Sequence, residues 1–374
     1  MLRNKYERPK YRDANIKTVT KRTAFGNVPL EVPVFDTPIT PRDNFKRVAA
    51  RKDPLWVPNN LAEFQTIMSQ DVVYSSPDRP VIHTNFRDPR NQTEDYSFTD
   101  WFNTDWTWVA SVGGAMLTPG TCLVKDVTEW EKIIEWPVLS DWDFESKADD
   151  YMKNEYSPDR VMHYDIGRGC TERYISVVGG YTEGMLAFAL EPEAVISFLN
   201  RYADFEIELF DKVNSLYPLD MVTYHDDWGT ERNTFFSEEM FKDIVFAPTK
   251  KIIDHIRSKG VAFELHSCGN ITRFIPYMLE LEPDFLQLQR RAVDIPALKK
   301  GYGDKVGFNT GIEGLEQAEA AGLAEAVRQT VDTYASCGGY YASVNGQSPE
   351  RAWNILTELY AYSREFYGSE SSEV

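Results

Sequence analysis

The residues with the clearest chemical potential lie in one short stretch, 261–270, which reads VAFELHSCGN. Apolar and polar residues alternate in it and glycine stands near each end, which predicts a short buried β-strand. At the two-residue period of a strand, Glu264, His266 and Cys268 project from the same face. The α-carbons of His266 and Cys268 would then lie roughly 7 Å apart, which suits two ligands of one zinc ion. The alternative for this pair alone is a buried strand end without a metal.

The elements that would position this strand alternate regularly from about residue 160. Strands are predicted at 221–224, 261–268, 285–289, 306–310 and 340–344, with helices between them at 237–259, 272–281, 295–300 and 315–336. A long helix that opens at Pro192 precedes them, and a last helix at 349–366 follows. This α/β alternation predicts a parallel sheet, and its repetition favours a TIM (β/α)8 barrel over a doubly wound sheet. No Gly-x-Gly-x-x-Gly loop follows a strand, so dinucleotide binding has no support.

In a TIM barrel the active site forms at the carboxyl ends of the strands. The predicted strand ends are polar throughout: His225-Asp226-Asp227, His266-Ser267-Cys268, Gln287 and Gln289, Asn309-Thr310, and Asn345-Gly346. We therefore expect Gln289, Asn309 and Asn345 to contact a substrate. Tyr224 and Trp228 are predicted to line an aromatic slot, with ordinary core packing as the alternative.

Composition restricts the class of protein. The chain has 374 residues, of which 42% are hydrophobic, and a formal net charge of −18. It can bury a large core, and its acidic balance argues against nucleic acid or an anionic membrane as a partner. No stretch is apolar enough for a transmembrane helix, and the charged N-terminus has no signal-peptide core, so a cytoplasmic protein is predicted. The four cysteines are widely spaced and form no disulfide framework.

The N-terminal part of the chain is less regular. Residues 1–60 are predicted to form an irregular arm, and residues 61–374 a single TIM-barrel domain. Within that domain, a segment at about 71–150 contains six of the nine tryptophans and lacks a helical period. It is predicted to insert into the barrel domain or cap it, either as a second small core under long loops or as a lid over the pocket.

Two motifs carry a resemblance to a known family. The sequences Asp226-Asp227-Trp228-Gly229-Thr230, with Phe236-Ser237 after it, and Leu265-His266-Ser267-Cys268-Gly269-Asn270-Ile271 resemble the uroporphyrinogen decarboxylase superfamily. Shorter matches in the family's order are Asp100-Trp101-Phe102, Gly113-Gly114, Trp142-Asp143 and Gly303-Asp304-Lys305. The similarity extends from about residue 40 to the C-terminus. It implies a TIM barrel with a deep pocket at the carboxyl ends of the strands.

The superfamily contains two chemical classes. Its decarboxylases bind a tetrapyrrole and carry an N-terminal Arg-Gln-Ala-Gly-Arg signature, which is absent here. Its zinc-dependent methyltransferases act with a corrinoid protein and carry His-x-Cys on the strand that matches 261–267, plus a distant third cysteine. His266 and Cys268 fit the first two positions. The resemblance therefore implies the corrinoid-dependent methyltransferase branch, of the O-demethylase type.

The third metal ligand departs from the family pattern. Cys337 precedes the last predicted strand, so we expect it near the opposite end of the barrel, in a structural role. Asn345-Gly346 occupies the strand tip where the family has its third cysteine. Asp227, on a neighbouring strand tip, is our expected third ligand, and the alternatives are Asp226, Glu264 and Cys170.

The expected function is the transfer of a methyl group from a small methylated substrate, a methoxylated aromatic, to the cobalt of a separate corrinoid protein. Zinc would stabilise the charge on the departing ether oxygen, and Asp226 and Asp227 would orient the substrate or move a proton. A homodimer is a further expectation. The alternatives are a tetrapyrrole decarboxylase, which predicts several Arg or Lys side chains at the barrel mouth, and a barrel that binds a corrinoid or aromatic ligand without turnover.

Overall fold

The computed structural model describes residues 6, 8, 11, 16–23, 26–73, 93–315, 318–344 and 347–370. Its strands are β1 (Ile16–Thr23), β2 (Gly26–Pro33), β3 (Phe64–Met68), β4 (Tyr96–Thr99), β5 (Asp105–Val109), β6 (Gly114–Leu117), β7 (Val161–Ile166), β8 (Met221–His225), β9 (Ala262–Ser267), β10 (Phe285–Leu288), β11 (Gly307–Gly311) and β12 (Tyr340–Ser343). Its α-helices are α1 (Pro41–Ala49), α2 (Trp130–Ile133), α3 (Glu145–Asn154), α4 (Cys170–Val177), α5 (Tyr181–Leu190), α6 (Pro192–Leu216), α7 (Glu238–Met240), α8 (Phe246–Ser258), α9 (Ile275–Glu280), α10 (Ile295–Tyr302), α11 (Leu323–Tyr334) and α12 (Pro349–Glu370). None of the helices it describes is both long and apolar enough to cross a membrane.

Seven of the strands form one parallel sheet, in the order β12-β11-β10-β9-β8-β7-β3. Its two edges meet, because Asn59, just before β3, forms a parallel bridge with Ala342 on β12. The rings of Phe64 and Tyr341 also stack across this seam, with centroids 5.0 Å apart. The predicted TIM-like α/β barrel is therefore confirmed, with seven sheet strands among the described residues rather than eight.

Helix α1 covers the amino-terminal end of the barrel. Its first turn is capped by Thr40, whose side chain accepts a hydrogen bond from the Asp43 amide at 3.0 Å. Phe45 on this helix packs against Phe64 and Phe285, with ring centroids 5.1 and 5.7 Å away. This apolar layer closes one end of the barrel interior, so polar residues further along the strands face a space that opens at the other end.

The tryptophan-rich segment packs beside the barrel. Strands β4, β5 and β6 form a separate antiparallel sheet. Trp101 and Phe102 contact Phe205 on α6, with ring centroids 5.5 and 5.3 Å away. Asp100 and Arg173 on α4 form a fully buried ion pair at 2.6 Å. No described residue between 93 and 150 lines the central cavity, and Trp101, Phe102 and Trp130 belong to the same hydrophobic core cluster as residues of the barrel.

The N-terminal arm is more regular than its sequence suggested. Strands β1 and β2 pair as an antiparallel hairpin that lies against α12. Val32 is buried, and the Arg8 guanidinium bonds the carboxylate of Glu358 on α12 at 2.6 Å. The prediction of an irregular arm missed this hairpin, because the apolar residues of β1, Ile16 and Val19, are three residues apart and do not show a strand period.

Two helices differ from their predicted forms. The helix expected at 315–336 begins only at α11, after a 3-10 turn at Ala320–Gly322. Gly314, just before the predicted start, has a positive φ of 66° and so belongs to a turn. In the other helix, a π-helical turn at Phe241–Val245 joins α7 to α8. Pro248 has no N–H for the Ile244 carbonyl, which explains an irregular hydrogen-bond pattern at this point.

Candidate active site

The two strand ends with the most reactive side chains lie next to each other. Strands β8 and β9 are parallel neighbours, and His225 pairs with His266 in their register. Gly269, just past β9, has a φ of +88°, and a Cβ there would lie 2.3 Å from the Gly229 carbonyl carbon. Only glycine permits this approach, which brings the segment after β8 into contact with the end of β9.

Asp227, His266 and Cys268 form a cluster of potential metal ligands, with their donor atoms all within 4.8 Å of one another. His266 Nε2 is 3.2 Å from Cys268 Sγ and 3.5 Å from Asp227 Oδ1. The Cys268 amide donates to Asp227 Oδ1 at 2.8 Å, which fixes the carboxylate beside the other two. Ligand atoms at ~2.0 and ~2.3 Å from one tetrahedral zinc ion are themselves roughly 3.5 Å apart. The cluster therefore fits zinc and leaves a fourth coordination position for a substrate.

The pKa shifts of the three side chains bear on whether they can bind zinc. Burial, and then the neighbouring His225, lower the pKa of His266, which favours the neutral imidazole that binds metals. Burial favours a protonated Asp227, but the hydrogen bond with His266 and their electrostatic interaction lower the pKa of Asp227 to about 2. Burial and then the charge of Asp227 raise the pKa of Cys268 to about 12. A bound divalent cation would deprotonate this thiol, so metal binding should release a proton.

The cluster adjoins a cavity of about 550 Å³ in the open end of the barrel, and His266 lines it. The cavity has an apolar wall formed by Leu61, Leu288, Ile312 and Leu315. Polar side chains that face it include His163, Asp165, His225, Arg290 and Asn309. On β7 and β8 the two-residue alternation accounts for the lining, because His163 and Asp165, and likewise Thr223 and His225, point into the barrel.

His225 and Asp165 form a pair beside the metal cluster. His225 Nε2 is 3.2 Å from Asp165 Oδ1, and the rings of His225 and His266 have centroids 4.4 Å apart. Burial opposes protonation of His225, but the charge and hydrogen bond of Asp165 raise its pKa to about 9. The sequence analysis missed Asp165 and His163. The sequence did contain a pattern that indicates them: in the strand Val161–Ile166 the two residues are two positions apart, which places both side chains on one face.

Glu264 lies deeper in the barrel and joins five strands. Its carboxylate accepts hydrogen bonds at 2.6 to 3.2 Å from side chains on β8, β10, β11 and β12, which are Thr223, Gln287, Asn309 and Tyr341. Burial raises the pKa of Glu264 to about 7 despite these donors. Because its oxygens are already engaged, Glu264 is not part of the metal cluster.

The structure does not bring Asp226, Tyr224 or Trp228 to the cavity. Asp226 is buried and accepts the amide hydrogen bonds of Thr171 and Glu172 at 3.2 and 3.0 Å, so it caps helix α4. Tyr224 points outward on β8, because the alternation turns Thr223 and His225 inward. Trp228 is fully buried against Phe241 and Phe274, with ring centroids 4.9 and 6.5 Å away.

The remaining predicted residues have varied positions. Asn309 lines the cavity, whereas the Gln289 side chain accepts the Gly269 amide at 2.8 Å and so supports the tip of β9. Asn345 lies outside the described residues. Cys337 is exposed in the turn before β12, far along the barrel from Cys268, as expected. Cys170 is buried, and its thiol contacts the Leu199 carbonyl at 3.8 Å.

Fold and site together define a class of protein: a TIM-like α/β barrel with a polar cavity and potential metal ligands at the carboxyl ends of its strands. Residues 175–315 match the family described as Uroporphyrinogen decarboxylase (URO-D). This segment contains both motifs on which the resemblance was based, and the resemblance is confirmed.

The structure is also similar to solved structures. One is described as a methyltransferase from Methanosarcina mazei, with a TM-score of 0.50, 10% sequence identity, and coverage of 88% of this chain and 99% of that one. At this identity the likeness supports the fold alone. A second structure is described as a sugar phosphate isomerase/epimerase from Parabacteroides distasonis ATCC 8503. It aligns over 60% of this chain and 87% of that one with 13% identity, and its TM-score of 0.24 is too low to support any argument. The comparison with curated proteins gave no match.

Proposed function

We propose that this protein is a zinc-dependent methyltransferase of the O-demethylase type that acts in the cytoplasm. It moves a methyl group from a methoxylated aromatic to the cobalt of a separate corrinoid protein. The observation that carries the proposal is the convergence of Asp227, His266 and Cys268 beside a cavity in the open end of the barrel. The family match and the methyltransferase with a similar fold support the same reaction class.

In the reaction, the bond between the methyl carbon and the ether oxygen breaks. The methyl group bonds to reduced cobalt through the electron pair of cobalt, and the oxygen keeps the pair of the broken bond and gains a proton. Zinc held by Asp227, His266 and Cys268 would supply a Lewis acid that stabilises charge on this oxygen. Asp165 would orient His225 toward the same space. Asp226, which accepts the Thr171 and Glu172 amides of α4, would hold in place the segment that carries Asp227.

Metal analysis of purified protein tests the site. We expect about one zinc per chain in the wild type and loss of most of it in Asp227→Asn, His266→Ala and Cys268→Ser. The matched control is Cys337→Ser, which removes an exposed thiol outside the cluster and should keep the zinc. Equal zinc in wild type and Cys268→Ser, or none in either, would contradict the proposed site.

Methyl transfer is tested separately, by mixing the protein with reduced corrinoid protein and a panel of methoxylated aromatics. The absorbance of the corrinoid should change to that of its methylated form with the wild type and not with Cys268→Ser. No change across a broad panel, with zinc present, would contradict the reaction while leaving the metal site intact. In that case a barrel that binds its ligand without turnover would be the better explanation.

The cavity does not favour tetrapyrrole decarboxylation. A tetrapyrrole with many carboxylates needs several cationic partners at the barrel mouth. Among the described residues, Arg290 is the only Arg or Lys that lines the cavity.

A further inference from the structure

We propose that a separate cavity, between the N-terminal hairpin and the barrel wall, binds a small anion that carries a phosphate group. This cavity has a volume of about 310 Å³, near the lower limit of typical ligand sites. It is lined by Lys17 of β1 and by Arg160, which directly precedes β7. Asp227, His266 and Cys268 do not line it, so the inference is independent of the proposed function.

The pairing of the hairpin directs Lys17 toward the barrel. Val19, two residues further along β1, is buried and lines the same cavity. Side chains two residues apart on a strand share a face, so Lys17 projects from the buried side of β1. Its partner across the hairpin is Val32, which is also buried. Because residues directly opposite each other share a face, this pair places the Lys17 ammonium group over the cavity as well.

The guanidinium of Arg160 has donors without partners. Its Nη2 donates to the Phe64 carbonyl, whereas Nε is buried and has no hydrogen-bond partner. No residue that the structure describes accepts a hydrogen bond from Nη1. A guanidinium charge removed from water without a counter-charge is costly, and burial lowers the pKa of Arg160 accordingly. A bound anion would offset this cost.

Gln65 on β3 holds the loop that carries Arg160. Its Nε2 donates to the carbonyls of Ser157 and Arg160 at 2.7 and 3.2 Å, and its Oε1 accepts the Ser157 amide at 2.9 Å. The Ser157 hydroxyl also lines this side of the cavity. Donors therefore come both from the hairpin and from the loop before β7. They can engage several oxygens of one tetrahedral phosphate, whereas a planar carboxylate matches the guanidinium alone.

The charge balance of this cavity favours an anion. Glu155 is the one acid in the described lining, and no described carboxylate lies within 4.0 Å of a nitrogen of Lys17 or Arg160. Desolvation, and then repulsion by Arg160, lower the pKa of Lys17. In a chain of net charge −18, two cations without an ion-pair partner indicate a site for an anion. A phosphate monoester, with a charge of about −1.5 to −2 at pH 7, matches both.

Calorimetric titration with inorganic phosphate tests the inference. The wild type should bind phosphate, and Arg160→Gln should weaken this binding roughly 10- to 100-fold, because it removes a charged hydrogen-bond donor. Lys17→Gln, on an exposed strand, should weaken it roughly 10-fold without the risk of misfolding. Lys153→Gln is the matched control, because Lys153 is exposed on α3 outside the lining, and it should bind like the wild type. Cys268→Ser should also bind like the wild type, which separates this site from phosphate on a bound zinc ion.

Two further ligands define the class of anion. Acetate should bind much more weakly than phosphate, because it lacks the oxygens and charge to engage both cations. Glycerol 3-phosphate, a monoester, distinguishes the two sources of the phosphate group: it should bind more tightly than inorganic phosphate if the natural ligand is an ester, and less tightly if it is the free ion.

Hydrogen exchange locates the bound anion. Because the anion would link Lys17 on the hairpin to Arg160 on the barrel, phosphate should slow exchange of the β1 amides several-fold in the wild type and in Lys153→Gln. It should not do so in Lys17→Gln. The inference is overturned if the wild type does not bind phosphate, if Lys17→Gln binds it unchanged, or if acetate binds as tightly. A protein without zinc or methyl transfer would still bind phosphate, so failure of the proposed function would be recognised separately.

Discussion

Glu63 shows how a single buried acid can set the pH dependence of stability. It is 8% exposed, and its carboxylate accepts hydrogen bonds from Trp56 Nε1 at 3.0 Å and Asn59 Nδ2 at 3.2 Å. Burial raises the pKa of Glu63 from 4.5 to about 8, against the effect of these donors. Its position just before β3 places this titration at the seam of the barrel, away from the metal cluster.

The sign of the resulting pH dependence follows from linkage. Between pH 4.5 and about 8 the unfolded chain has lost the Glu63 proton while the folded protein keeps it, so stability falls as the pH rises. Glu63→Gln stays neutral and should remove this decline. From pH 5 to pH 9 the wild type should therefore lose about 4 kcal/mol more of its free energy of unfolding than Glu63→Gln does. Urea denaturation at both pH values measures it, and parallel profiles would contradict the prediction.

At the scale of elements, the site depends on the close contact between the segments that follow β8 and β9. The segment after β9 passes so near Gly229 that Gly269 contacts its backbone, and the Asn270 amide donates to the Thr230 carbonyl at 2.6 Å. This contact holds Asp227 and Cys268 in reach of each other. A side chain at position 269 should therefore disturb metal binding and stability together.

We expect Gly269→Ala to lose zinc and to lower the free energy of unfolding by about 2 kcal/mol or more. The new Cβ would clash with backbone atoms at 2.3 Å, and the φ of +88° strains any L-residue. Gly301→Ala is the control, because a Cβ there meets nothing within 4 Å and the residue lies in α10. It should be neutral or stabilise by about 0.5–1 kcal/mol. Zinc analysis and denaturation of both variants test this, and a zinc-replete, fully stable Gly269→Ala would refute it.

Local signals in the sequence predicted most of the barrel's elements. The helix starts at Pro192 and Ser237 follow from local signals, a proline in the first turn and a serine cap, and the structure confirms both. The inward or outward direction of a side chain could not be predicted as well. Tyr224 and Trp228 were expected in the cavity, but the register between strands, which depends on residues far apart in the chain, directs them elsewhere.

The same limit applies to the site. His266 and Cys268 are two residues apart, so their joint position follows from the period of one strand. The pair between Asp165 and His225 joins two strands, and the network around Glu264 joins five. A single sequence does not contain the pairing that assembles these groups. This explains why the proximity of His266 and Cys268 was anticipated more completely than the cavity wall around them.

The whole molecule has one closed end and one open end. Helix α1 and the aromatic layer beneath the strands fill the amino-terminal end, so ligands reach the barrel interior from the carboxyl ends of the strands. Because the proposed zinc ligands come from two strand ends, metal binding should stabilise the folded chain as a whole. A ligand that binds only the folded state adds RT ln(1 + [L]/Kd) to the free energy of unfolding.

We therefore expect zinc to raise the melting temperature of protein stripped with a chelator. At a free zinc concentration 100 times Kd the gain is about 2.7 kcal/mol, which corresponds to several degrees for a chain of this size. Cys268→Ser should respond much less, whereas Cys337→Ser should respond like the wild type, because its thiol lies outside the cluster. Thermal unfolding followed by calorimetry across a zinc titration provides the measurement. An equal rise in all three proteins would mean that zinc binds elsewhere, and the metal site proposed here would be wrong.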